Sequence, residues 1–112
     1  MRRGEVYWIR LEGTLGSEQQ GMRPALVIQN DVGNRHGGTT IVAAITSSAG
    51  LARYPFAVEL PAGTLPRRSF VNCAHLRTID KTRVASGPVT RLESDLMDEV
   101  DHALRLSLAL DA

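Results

Sequence analysis

The residue in this sequence best suited to chemistry on a phosphate is Arg23. It ends a polar, glycine-bracketed stretch, Gly16-Ser17-Glu18-Gln19-Gln20-Gly21-Met22-Arg23-Pro24, and stands at the entrance to an apolar run, Ala25-Leu26-Val27-Ile28. A guanidinium keeps its charge at any accessible pH and offers a planar fork of donors matched to phosphate or carboxylate. A structural ion pair is the other common use of an arginine in such a place. A second apolar run, Ile41 to Ile45, finishes in Thr46-Ser47-Ser48, so hydroxyls emerge where that segment leaves the core. A hydroxyl there either donates to a bound oxygen or satisfies a backbone group at the strand end.

The elements that must position these groups are mostly strands. Glu5 to Leu11 is rich in strand formers and carries charge at both ends, which suits a first strand with at least one buried face. Residues 12–22 hold three glycines and no apolar period, and read as a long loop. Pro24 fits a strand start, where a missing donor is tolerated, and 25–30 continues that strand. Asp31 to Gly38 is a glycine and asparagine cluster whose composition predicts a turn or connection. Thr39 to Thr46 is a central strand, Ala49 to Arg53 suits a turn of helix, and Phe56 to Leu60 is a short strand closed by Pro61 and Gly63.

Two further strands are expected at Arg68–Cys73 and Leu76–Asp80. A bent or edge strand follows over Val84–Leu92, where Gly87-Pro88 interrupts the pattern. The period then changes: Leu92, Leu96, Val100, Ala103, Leu104 and Leu108 recur at three and four residues, the stripe of an amphipathic helix. Early acids and a late Arg105 match the helix dipole. The fold class expected is therefore mainly β with a C-terminal helix capping a small barrel. Its 112 residues fit one domain spanning 1–112.

Composition limits the partners. Cys73 is the only cysteine, so an internal disulfide framework is excluded. Three scattered histidines supply no zinc spacing, and no metal or other cofactor is implied. No run approaches the length of a membrane span and no apolar segment follows the basic N-terminus, so a cytoplasmic protein without membrane contact is expected. The net charge of +1 conceals a division: residues 1–92 carry twelve cations against six acids, and residues 93–112 one cation against six acids. Twelve of the thirteen cations are arginine, which suits bidentate phosphate contacts or reflects codon usage. Aromatic content of 4% leaves few stacking platforms, so any nucleic-acid contact must be mainly polar.

Read in order, the chain resembles the MazF/PemK (Kid) family of toxin endoribonucleases. The resemblance runs through Arg3-Gly4-Glu5-Val6, the block from Gly16 to Pro24, Val27 to Arg35 and Ile41 to Ser47. It continues through Tyr54-Pro55, Val58-Glu59-Leu60 and Leu76 to Lys81, and ends in the helical stretch Val100 to Leu108. It covers nearly the whole chain and is nearest to the Gram-positive-type MazF branch.

The resemblance implies an SH3-like barrel of the CcdB/MazF type and a homodimer. The implied activity is metal-independent cleavage of single-stranded RNA by attack of the 2′-OH, leaving 2′,3′-cyclic phosphate and 5′-OH ends. It also implies a MazE-like antitoxin as inhibitor, with DNA reached only through the antitoxin complex. Carried over residue by residue, Arg23 and Thr46 become the catalytic pair. Ser17, Glu18, Gln19 and Gln20 match the loop that lines the RNA groove, with Ser47, His75 and Arg77 as further RNA-binding candidates. The chain departs from the family at Cys73-Ala74-His75, where many relatives have Leu-Glu-Gln. His75 is open to proton transfer or to a polar surface role, and Cys73 reads as a small buried hydrophobe. A CcdB-like gyrase poison and a nonenzymatic RNA-binding barrel remain alternative uses of the same fold.

Overall fold

The computed structural model describes residues 1–11 and 21–110. Six strands form one antiparallel sheet: β1 (Glu5–Leu11), β2 (Gly21–Val27), β3 (Thr39–Thr46), β4 (Ala57–Glu59), β5 (Phe70–Asp80) and β6 (Thr90–Arg91). Their order across the sheet is β4-β5-β3-β2-β1-β6. The sheet curls into a half-barrel, and a C-terminal helix, α2 (Ser94–Leu108), packs against β5 and β4. Successive side chains on a strand point to opposite faces, and here both faces are apolar. Val6, Leu26, Ala43, Val71 and Cys73 join Val100, Ala103 and Leu104 of α2 in the larger core. Tyr7, Ile9, Ala25, Val27, Val42 and Ile79 form a second core on the opposite face. Curling is how one small sheet hides both.

The strand at Arg23 begins earlier and ends sooner than 25–30. It runs Gly21–Val27 because β1 pairs with it from Val6↔Leu26 out to Leu11↔Gly21. On its other edge, pairing with β3 stops at Ala25↔Ala44, immediately before Pro24, which has no N–H to offer a ladder. The proline thus ends the β2–β3 ladder two residues short of Arg23.

The turn expected at Asp31–Gly38 contains a helix instead, α1 (Asp31–His36). Asn30 caps it, its Oδ1 accepting from Gly33 N at 2.8 Å. Asn34, only 3% exposed, holds it to the sheet. Its side-chain oxygen accepts from Thr40 Oγ1 at 2.6 Å and from Gln29 Nε2 at 3.0 Å, while its Nδ2 donates to Gln29 O and Asp31 Oδ1. Lys81 Nζ donates to the Asn34 carbonyl. The helix is made by these bonds, not by intrinsic propensity, which disfavours glycine and asparagine inside helices.

The strands expected at 68–73 and 76–80 are one strand. In its ladder with β3 the pairs step from Ala43↔Leu76 to Ala44↔Asn72, so Cys73, Ala74 and His75 bulge from the register. Asn72 Oδ1 accepts from Ala74 N at 3.0 Å and braces the bulge. The edge segment after Val84 is strand only at Thr90–Arg91, with an isolated bridge from Val84 to Ile9. The α2 stripe holds at Val100, Ala103 and Leu104, whereas Leu108, at the last turn, is half exposed. Beyond it Ala109 adopts the left-handed conformation, φ 57°, and its N–H closes the helix on Arg105 O and Leu106 O.

The N-terminus is strapped across the larger core. Gly4, at φ 94°, turns the chain so that its N–H reaches Val27 O and its carbonyl accepts from Leu92 N, both at 2.9 Å. Arg3 donates from Nε to Ile28 O at 2.7 Å and pairs with Asp101 of α2 at 2.6 Å. Arg3 N donates to Asp31 Oδ1, and this bond, with a second from Asn34, holds the Asp31 carboxyl below its usual range.

Candidate active site

Arg23 and Thr46 both lie just past one end of the β2–β3 ladder and line the same openings there. Continuing the register of Ala25↔Ala44 by two residues sets Arg23 opposite Thr46. Arg23 is exposed and Thr46 half buried. Thr46 Oγ1 accepts from Ser48 N at 3.2 Å, so the strand-end role foreseen for this hydroxyl is present. That bond occupies a lone pair and leaves the hydroxyl hydrogen to donate outward.

Two depressions open here, of about 360 and 350 Å3, and both include Arg23, Pro24, Ile45 and Thr46 in their walls. The first is completed by Trp8, Ser47, Leu65, Arg67 and Ser69. The second is completed by His75 and Arg77, with Ile9, Ala25, Val42 and Ala44 as its apolar floor. Arg77 lies opposite Val42, and His75 arrives through the bulge. Cys73, two residues earlier, turns inward. It is fully buried, and burial, helped by the Asp101 charge, pushes its thiol up to about 11.

Arg67 was not foreseen as a site residue. It reaches the first depression because Thr46 pairs with Phe70, which brings the incoming 66–69 segment beside the end of β3. Ser69 Oγ, buried, donates to the Arg67 carbonyl at 2.8 Å and fixes that approach. The doublet Arg67-Arg68 just before a strand was the available signal. Its members diverge: Arg68 engages Glu59 at 2.7 and 3.1 Å and lies over the Phe70 ring. That hydrogen-bonded pair holds the Glu59 carboxyl low and raises the guanidinium. Among the described residues, the guanidinium groups of Arg67 and Arg77 have no hydrogen bond or ion pair.

Among the described lining residues the charged groups are three arginines, and no carboxylate joins them. A groove of guanidinium and hydroxyl donors selects anions with several acceptor oxygens. Of the residues singled out in the sequence, Arg23, Thr46, Ser47, His75 and Arg77 come together here, whereas Ser17, Glu18, Gln19 and Gln20 lie outside the described residues. No group of three or more metal-ligating side chains is found among the described residues, and none of their helices is long and apolar enough to cross a membrane.

A curled antiparallel half-barrel, backed by a C-terminal helix and bearing an anion-selective groove at its strand ends, defines a small β-barrel protein of the MazF structural class. Comparison with known proteins specifies it. Residues 2–108 match the family described as PemK-like, MazF-like toxin of type II toxin–antitoxin system, and the chain belongs to that family. It is 47% identical to endoribonuclease EndoA of Bacillus subtilis (strain 168) over 112 residues, 98% of this chain and 96% of the relative. Among solved structures, a MazE–MazF complex from Deinococcus radiodurans aligns with a TM-score of 0.82 at 29% identity, covering 99% of this chain and 97% of the other. A MazF from the same organism aligns at 0.76 and 30% identity, with 97% and 96% covered.

Proposed function

We propose that the chain is an endoribonuclease toxin that cuts single-stranded RNA by transesterification, with Arg23 and Thr46 as its catalytic residues. The observation that carries this reading is that Arg23 and Thr46, both just past the end of the β2–β3 ladder, line the same two depressions. The substrate's 2′-oxygen attacks the adjacent phosphorus, the bond from phosphorus to the 5′-oxygen breaks, and the products are a 2′,3′-cyclic phosphate and a 5′-OH. One proton leaves the 2′-OH and one joins the departing 5′-oxygen, so the step balances. Attack from within the substrate is favoured because the nucleophile already sits beside the phosphate. Arg23 neutralises the charge gathering on the phosphorane, and Thr46 donates to a non-bridging oxygen. Ser47, His75 and Arg77 hold neighbouring parts of the strand, with Ser17, Glu18, Gln19 and Gln20 proposed to contact it from the preceding loop.

The same reading supplies the partners. One domain over residues 1–112 works in the cytoplasm as a homodimer. An acidic antitoxin segment of the MazE kind occupies the arginine-lined groove and excludes RNA, and DNA is engaged only by the antitoxin of that complex. The direct test is a long single-stranded RNA incubated with purified protein in excess chelator. Cleavage at a restricted set of sites is expected. RNA that is bound but left intact, or neither bound nor cut, would refute the nuclease reading.

A further inference from the structure

We infer that Ser48 is a positioning residue for the reaction, acting through its backbone N–H, which fixes the Thr46 hydroxyl so that its hydrogen is free for a bound phosphate oxygen. The inference rests on the ribonuclease reading and begins from how Thr46 is held. Its backbone is fixed by β5, where Thr46 pairs with Phe70 at the last step of the β3–β5 ladder. What remains to be set is the rotamer of a β-branched side chain and the direction of its hydroxyl hydrogen. Ser48 N donates to Thr46 Oγ1 at 3.2 Å and sets both. An N–H on one lone pair turns the hydroxyl hydrogen away from Ser48, and an oxygen that accepts a hydrogen bond is itself a stronger donor. One contact therefore orients the group and strengthens it before any substrate arrives.

The amide is itself held from behind. Ser48 leads into a 3-10 turn over Ala49–Arg53, and its carbonyl accepts from Leu51 N at 3.2 Å. The Leu51 carbonyl accepts from Tyr54 N at 3.0 Å, and the Tyr54 carbonyl from Ala57 N at 3.2 Å, where β4 begins. A chain of backbone bonds thus ties the donor to the sheet that carries Thr46. The Ser48 side chain, by contrast, is exposed and makes no capping bond to the turn. Its hydroxyl is dispensable and its amide is not. The two can be separated, because Ser48 has φ −72°, inside the range that a proline ring imposes. Proline at this position deletes the one N–H and keeps the local φ.

The experiment measures kcat and KM on one RNA substrate in chelator for wild type, Ser48→Pro, Ser48→Ala, Thr46→Ala and the double variant Thr46→Ala with Ser48→Pro, each checked by thermal melting. Ser48→Pro is expected to lower kcat about tenfold with KM nearly unchanged, the signature of losing one bond that orients a group in the transition state. Ser48→Ala, the conservative variant, keeps the N–H and should keep the wild-type kcat. On the Thr46→Ala background the proline should cost nothing further, because the oxygen it would disconnect is already gone. Where the proline lowers the melting temperature, an ester in place of the amide between residues 47 and 48 deletes the same N–H without a ring, and the same loss of kcat is expected. Undiminished kcat in the folded variant that lacks the N–H, an equal loss in Ser48→Ala, or the full proline loss repeated on the Thr46→Ala background would overturn the inference while leaving the nuclease reading in place. Full activity in Thr46→Ala, or RNA left intact by the wild type, would instead overturn that reading, and the role of Ser48 with it.

Discussion

Arg23 pairs with Ile9 across the β1–β2 ladder, and both Arg23 and Thr46 lie two residues beyond Ala25↔Ala44, the last β2–β3 pair, where they line the same two depressions. Between them the β2–β3 ladder does not continue, because Pro24 has no N–H to carry it on. A guanidinium and a hydroxyl thereby share an opening that a continuous ladder would have closed.

Replacing either residue tests the pair. Arg23→Ala and Thr46→Ala should each lower the rate of RNA cleavage by about a hundredfold or more, the usual effect of removing one group that stabilises transition-state charge. Arg23 is exposed, so its thermal midpoint should stay close to that of the wild type. Thr46→Ser should recover much of the activity, because it keeps both the outward donor and the acceptor for Ser48 N. Full activity in Arg23→Ala would refute the assignment.

The antitoxin should compete with RNA. The groove's described charges are cationic, and an acidic disordered segment can trade its ordering entropy for charge complementarity along it. A saturating acidic antitoxin peptide should displace a fluorescent RNA, and added salt should weaken both ligands. Undiminished RNA affinity in the saturated complex would place inhibition at a different surface.

Asn34 should matter to stability more than its place in a six-residue helix suggests. Its side chain satisfies Thr40, Gln29 and Asp31 from a site 3% exposed. Asn34→Ala leaves several of these groups without partners, so a loss of about 2–4 kcal/mol is expected in urea unfolding. A loss under about 0.5 kcal/mol, the size of an ordinary surface substitution, would show that α1 is held by other means.

Alkaline pH should destabilise the fold through Cys73 and Tyr7. Burial, helped by Asp101, raises the thiol from 9.0 to about 11. Burial, with the hydrogen bond to Glu5 and its charge, raises the phenol from 10.0 to about 12. Both groups hold their protons more tightly folded than unfolded. Their contribution is therefore complete below pH 9 and is lost as pH climbs from about 9 to 12. Denaturant midpoints measured from pH 8 to 11 should fall, and Cys73→Ala should flatten the lower part of that fall. Native protein at pH 8 should react with a thiol reagent far more slowly than unfolded protein does.

Where hydrophobic pattern alone decides structure, the sequence was readable. Strands β1 and β3 follow their apolar and β-branched runs to the residue, and the stripe of α2 marks its buried side as far as Leu104. Pattern failed where side-chain hydrogen bonds or cross-chain pairing decide. Asp31-Val32-Gly33-Asn34 has a turn's composition, yet Asn30 and Asn34 bond it into a helix. Residues 68–80 lose their alternation at Cys73-Ala74-His75 because these bulge, which made one strand look like two. For the site, Arg23 and Thr46 were legible because both stand at the ends of apolar runs. Arg67 was not, since it enters the groove only through the pairing of Phe70 with Thr46.

The chemistry of the cut tests the central claim most directly. An RNA carrying one preferred site is digested by the wild-type protein in chelator, beside the same strand with a single 2′-deoxy substitution at the nucleotide whose 2′-OH should attack, and the fragments are weighed by mass spectrometry. The account predicts 2′,3′-cyclic phosphate and 5′-OH ends from the first strand. It also predicts that the second is bound but not cut, because its nucleophile is gone while the Arg23 and Thr46 contacts to phosphate remain. Fragments bearing 5′-phosphate, or cleavage of the deoxy-substituted strand, would mean that water attacks the phosphorus and would contradict the account.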